Sequence, residues 1–179
     1  MTRPLRLTAQ VLAVGLVAAL LALLIWRVAR DSDKGVSQAL RDGEQPTAPA
    51  FDLKRLDGRG RIDLASLRGK KPIVLDFWAS WCVPCIHESK RLQAARKQYG
   101  DRVEFIGVDT KDFSGEARAW QRKHGITYPS VHDGSGNELT KWGGLPIPKI
   151  FFVDRNGKVV GELLAEEDLP RYLRQISSS

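Results

Sequence analysis

No charged side chain occurs between Leu7 and Trp26, and the stretch VLAVGLVAALLALLIW within that run is almost wholly apolar. About twenty such residues match the hydrocarbon thickness of a bilayer. Arg3 and Arg6 precede the run, and Trp26 closes it where interfacial aromatics belong. A buried core helix would show a polar face over this length. A cleaved signal peptide would leave a small-x-small site, and Trp26-Arg27-Val28-Ala29-Arg30 does not supply a clean one. The expectation is a single N-terminal transmembrane helix over residues 1–30, acting as a signal-anchor. Arg27 and Arg30 oppose Arg3 and Arg6, so the orientation rests on the amino terminus and on Asp31 and Asp33. These favour an inside start and an outside domain. The segment that follows is rich in Asp, Ser, Lys, Gly and Gln, with Pro46 and Pro49 near its end. It reads as a hydrated tether over 31–48, leaving a folded domain over 49–179.

Within that domain, Phe51–Leu56 and Arg59–Ile62 read as two short strands across Asp57-Gly58, an N-terminal β-hairpin. Ile73–Trp78 is a short apolar run with β-branched residues at its start, as a buried strand requires. A helix is predicted from about Cys82 to Tyr99, with Gly100 placed to stop it. Val103–Val108 reads as a second buried strand, and strand-helix-strand order implies a parallel crossover. Ser114–His124 forms the next helix, with Ser114 as N-cap and Gly125 after its end. Ile150–Val153 and Lys158–Leu164 make strands across Asp154-Arg155-Asn156-Gly157. Glu166–Ile176 is the last helix, acidic early and basic late as the macrodipole prefers. The predicted fold class is α/β, a central mixed sheet with helices on both faces.

At 179 residues the chain holds one domain plus an appendage, with a net charge of +7. Lys and Arg are scattered among acids, which disfavours nucleic acid as a partner and favours anionic lipid surfaces or acidic proteins. Only two cysteines occur, Cys82 and Cys85. A bridge between them closes no long loop and adds little through chain entropy, so redox or metal chemistry explains them better than stabilisation. Structural zinc normally takes four ligands, and His87, His124, His132 and acids are all that remain to complete such a site. No metal is expected, and His87 reads as a surface residue.

Trp81-Cys82-Val83-Pro84-Cys85 lies where a buried strand gives way to a helix. Unpaired N–H groups and the positive dipole end favour a thiolate there, which makes Cys82 the nucleophile. Cys85, one turn further, suits the resolving step. Pro84 fits the first turn, where its missing N–H costs nothing. Asp76 interrupts an apolar strand, and a buried carboxylate is costly without a task. Trp81 borders the thiol as a substrate contact, and Trp78 reads as packing.

Residues 73–88, IVLDFWASWCVPCIHE, resemble the active-site strand and helix of the thioredoxin superfamily. The stretch 49–176 resembles the TlpA/ResA group of tethered thiol-disulfide oxidoreductases. The shared features are PAFDLKRLDGRGRIDLASLRGKKPIVLDFW, Glu88 three residues after the second cysteine, and GGLPIPKIFFVDRNGKVV. The resemblance implies a thioredoxin-like fold and a cis Pro148 facing the disulfide, with Pro146 as the alternative. It leaves the Ile147 backbone free to pair with an extended substrate. It implies that Asp76 and Glu88 handle protons for Cys85. The group often has proline after this Glu, and Ser89 stands here instead. The implied activity is reduction of disulfides in exported proteins, such as apocytochrome c, on the extracytoplasmic side of a cell membrane. No cofactor beyond the dithiol is implied. A membrane or soluble thiol donor would restore it, and a monomer is expected. A disulfide oxidase or isomerase is the alternative, but Val83-Pro84 places no histidine between the cysteines to hold a strongly oxidising site. A peroxidase would need Thr near its cysteine, where Ala79-Ser80-Trp81 stands. A non-enzymatic copper chaperone would space its cysteines wider and add a histidine.

Overall fold

A computed structural model describes residues 12–24 and 35–178. The chain forms two compact units, Met1–Asp33 and Lys34–Ser179. In the first, residues 12–24 are helical with their leucines and valines exposed. Among the described residues no helix is long and apolar enough to cross a membrane. The rest of the expected anchor, 1–11 and 25–30, lies outside the described residues.

The second unit is built on a five-stranded mixed sheet. Its strands are β3 (Ile73–Trp78), β4 (Glu104–Thr110), β5 (Ser130–Asp133), β6 (Lys149–Val153) and β7 (Val159–Glu162), in the order β5-β4-β3-β6-β7. β3 runs parallel to β4 and antiparallel to β6, and all six of its residues are buried. Strand alternation splits those residues between two cores. Val74 and Trp78 face one core, where α2 (Val83–Tyr99) brings Cys85 and Leu92, α3 (Ser114–His124) brings Ala117 and Trp120, and α5 (Leu169–Ser177) brings Leu173. Ile73, Leu75 and Phe77 face the other, where α1 (Val36–Arg41) brings Val36 and α4 (Asn137–Lys141) brings Leu139, with Trp142 just beyond it. The expected thioredoxin-like α/β arrangement is therefore present.

A separate hairpin, β1 (Asp52–Lys54) with β2 (Arg61–Asp63), precedes the sheet as predicted, though with shorter strands. The chain around it bonds at one end of each outer strand of the main sheet. Pro46 and Ala48 exchange backbone bonds of 2.9 Å with Val159 and Gly157 beside β7. Leu56 N–H donates to Ser130 O at 2.8 Å beside β5.

Four expectations differ from the structure. The predicted tether over 31–48 is folded from residue 35 on, because Val36, Ala39 and Ala48 bury their apolar surface. Ser114 is the first helical residue of α3 and not its cap; Phe113 occupies the cap position without a side-chain bond. The last helix starts at Leu169 with Pro170 in its first turn, after a 3-10 turn at Glu166–Asp168. Gly100 ends α2 with a right-handed φ of −59°, and its value is space: a Cβ there would lie 2.7 Å from Arg96 O. Gly125 does take the left-handed φ of 67° expected after α3.

Gly107, mid-β4, lies opposite Asp76 of β3 and Ser130 of β5. A Cβ there would stand 2.7 Å from Trp78 Nε1 and would collide with Ser130 Oγ. Trp78 is fully buried and stacked on Trp120 at 4.4 Å, so it has nowhere to yield. Gly107→Ala is expected to cost about 1–3 kcal/mol, read as a lower urea midpoint with an unchanged slope. A midpoint equal to that of the parent chain would show that this layer repacks freely.

Candidate active site

β3 delivers the chain to the head of α2 through Ala79-Ser80-Trp81. Cys82 is the N-cap of α2, with φ −84° and ψ 101°, and Pro84 sits in the first turn. The Cys82 Sγ accepts the Cys85 N–H at 3.3 Å, one of the first-turn donors that no helical carbonyl can satisfy. Cys82 and Cys85 are joined in a disulfide of 2.06 Å. Cys85 is fully buried and Cys82 nearly so, while Trp81 and Val83 beside them are exposed.

The loop from Gly143 to Pro148 lies across the sulfur. Both Leu145-Pro146 and Ile147-Pro148 are cis, and Ile147 O stands 3.7 Å from Cys82 Sγ. The carbonyl of the cis Ile147-Pro148 bond thus lies at the disulfide.

On the inner side, Asp76 shares the β3 face of Val74 and Trp78, against which Cys85 packs. Ser89, one helical turn past Cys85, donates its hydroxyl to Asp76 Oδ2 at 3.0 Å, and Tyr128 OH donates to the same oxygen at 2.6 Å. Asp76 Oδ1 is buried without a partner among the described residues. Burial pushes the Asp76 carboxyl up to about 6, the two hydroxyls oppose that rise, and the Glu88 charge adds to it. Ser89, which stands where the resembling group often has proline, is therefore a partner of the buried acid.

Glu88 lies outside this packing. Its carboxylate pairs with Arg91 at 3.0 Å and lines a cleft with Pro148, Ile150, Leu163 and Ala165. Asp76 and Glu88 share no hydrogen bond; the field between them is their link. His87 is exposed, as expected. It forms with Glu88 and Glu166 a group whose ligand atoms lie within 4.8 Å of one another. The Arg91 guanidinium contacts both acids, at 3.0 and 3.5 Å, and already supplies the cation there.

A further set of residues, of which only Trp81 is foreseen from the sequence, holds the approach to Cys82. Asp112 accepts the Ser80 N–H at 2.6 Å and the Ser80 hydroxyl at 3.0 Å. Trp81 Nε1 donates to Lys111 O at 3.0 Å. Behind them, buried Asp109 lies 2.6 Å from His132 Nδ1, a contact that requires a proton between the two. Burial, aided by the charges of Asp112 and Asp133, lifts Asp109 to about 8. The signal was present as DTKD at the end of an apolar strand, but its partners lie 23 and 32 positions away in sequence.

Residues 45–161 match the AhpC/TSA family. The chain is 30% identical over 134 residues to the thiol-disulfide oxidoreductase ResA of Bacillus thuringiensis subsp. konkukian, covering 73% of this chain and 76% of that one. It is 32% identical over 114 residues to the thiol:disulfide interchange protein HelX of Rhodobacter capsulatus, covering 63% of each. Among solved structures, a putative protein disulfide isomerase from Bacteroides thetaiotaomicron superposes with a TM-score of 0.67 at 28% identity, over 75% of this chain and 87% of that one. The bridged pair at a helix head and these likenesses agree: the chain belongs to the AhpC/TSA family and is a ResA-like thiol-disulfide oxidoreductase.

Proposed function

We propose that the chain is a protein disulfide reductase, held to a cell membrane by its N-terminal apolar run, with the catalytic domain on the extracytoplasmic side. The observation that carries the reading is the pairing of a sulfur that caps a helix N-terminus with a buried acid bonded to Ser89, one turn past the partner cysteine. In the dithiol form the Cys82 thiolate attacks a substrate disulfide. One substrate sulfur leaves as a thiolate and takes a proton from solvent, and Cys82 remains in a mixed disulfide. The Cys85 thiol passes its proton to the free oxygen of Asp76 and attacks Cys82 Sγ. The second substrate sulfur departs, and the bridge between Cys82 and Cys85 forms. Two electrons pass to the substrate, and an external thiol donor returns them.

Asp76 suits the acceptor's part because a carboxyl titrating at about 6 is ionised at neutral pH yet close to neutrality in affinity for the proton. Glu88 tunes that acid through its charge. Trp81, Ile147 and Pro148 contact the substrate. A polypeptide substrate is supported by the exposed apolar side chains of the folded unit. Trp81, Val83, Phe113, Leu145 and Leu164 all stem from segments bordering the disulfide, its approach or the Glu88–Pro148 cleft. Exported proteins, apocytochrome c among them, are the substrate class that the ResA likeness suggests. The bonding of residues 46–56 to both outer strands favours a monomer.

Cys82→Ala is expected to abolish exchange, and Cys85→Ala to accumulate a mixed disulfide visible on non-reducing gels; wild-type turnover in either variant would refute these roles. The direction is tested by equilibrating the dithiol with glutathione: a strongly negative potential supports a reductase, and one at the oxidising end reverses it. Anchoring predicts that the full chain stays in the membrane fraction after carbonate washing, and release by that wash would overturn it. For Asp76 the sign follows from linkage. The folded acid keeps its proton to about pH 6 whereas the unfolded one loses it near 3.8, so stability falls as pH rises through that window. Asp76→Asn removes this loss, and its stability relative to wild type should grow by ~2–3 kcal/mol from pH 3 to pH 7, with resolution slowed by ~10²-fold. A pH-independent difference in urea midpoint would contradict the raised carboxyl.

A further inference from the structure

The loop that carries Ile147 to the disulfide is rooted in Trp142 at one end and Lys149 at the other. Both roots meet one hydroxyl. Ser37 Oγ donates to the Trp142 carbonyl at 2.9 Å and accepts from Lys149 Nζ at 3.2 Å. The Ser37 backbone N–H reaches the same carbonyl at 3.4 Å. Lys149 is held in turn by Glu162 at 2.7 Å, with both side chains nearly out of solvent. The backbones approach closely as well. A Cβ on Gly35 would stand 3.0 Å from Gly143 Cα, and one on Gly143, whose φ is 119°, would collide with Ser37 Oγ.

Ser37 is only 1% exposed. A buried hydroxyl is costly unless bonded, and an alanine would fill the same face of α1 if packing alone were needed. The hydroxyl's two bonds go to the loop's two roots, and neither goes to its own helix. The geometry points to Ser37 as a positioning residue for substrate binding: it closes the base of the Gly143–Pro148 loop and so fixes the Ile147 carbonyl against Cys82. The N-terminal helix α1, which precedes the hairpin and contributes nothing to the sheet, is thereby a strap on the substrate loop. This inference rests on the reading that Ile147 and Pro148 contact the substrate.

The test compares two disulfides reduced by the full chain: insulin, which presents an extended backbone, and hydroxyethyl disulfide, which has none. Ser37→Ala is expected to raise KM for insulin by roughly three- to tenfold, the worth of one lost hydrogen bond. The rate with hydroxyethyl disulfide and the dithiol potential should stay at wild-type values, and amide hydrogen exchange should quicken from Gly143 to Ile147. Pro148→Ala serves as the control on the loop. Should it raise the insulin KM while Ser37→Ala does not, the strap is refuted and the loop reading stands. Should neither variant change that KM, the loop reading fails and takes the strap with it. Equal losses on both disulfides in Ser37→Ala would mark a general structural defect and also overturn the proposal.

Discussion

The site depends on how α2 begins. A helix leaves its first backbone N–H groups without carbonyl partners, and here Cys82 Sγ accepts one of them. The same field that favours an acceptor there favours a negative sulfur once the bridge opens. That arrangement needs β3 to end at Trp78 and α2 to start at Val83, with only Ala79–Cys82 between them. The sheet serves this requirement, since β3 is central, buried along its length and clamped by β4 and β6. A strand fixed on both sides gives the turn above it little freedom.

Three supports then converge on that turn from different parts of the chain. Asp112 holds Ser80 from the end of β4, the Gly143–Pro148 loop lies over the sulfur, and Asp76 waits beneath α2 with one oxygen unpaired. Two of the three involve buried or half-buried carboxylates. Their burial is expensive in isolation, and each is offset by hydrogen-bond donors from separate elements. Asp76 and Asp109 both resist ionisation, but they occupy different sides of the site: one bonded to Ser89 a turn past the resolving cysteine, the other behind the approach to the nucleophile.

Local pattern carried much of this. Ile73–Trp78 was legible as a strand because an apolar run between Lys70-Lys71-Pro72 and Ala79-Ser80 has few other uses. Gly125 was legible because a helix must stop, and the cysteine pair because its spacing fits one helical turn. β5 was not: three of its four residues are polar, and their burial comes from pairing with β4. Nor was α1, a six-residue helix whose buried serine bonds to the Trp142 carbonyl, 105 positions away. The bond from Tyr128 to Asp76 spans 52 positions and the Asp109–His132 contact 23, so no window along the chain could reveal them.

The segment from Pro46 to Leu56 borders both outer strands, bonding beside β7 at one end and beside β5 at the other. Unpaired strand borders are the usual templates for intermolecular β-stacking and fibril growth. This chain occupies one end of each with a single continuous stretch made early in synthesis, yet the bond at β7 cannot form until Val159 has emerged. A chain cut short before that point would display a naked β-border, so truncation products should clump where the whole protein stays dispersed.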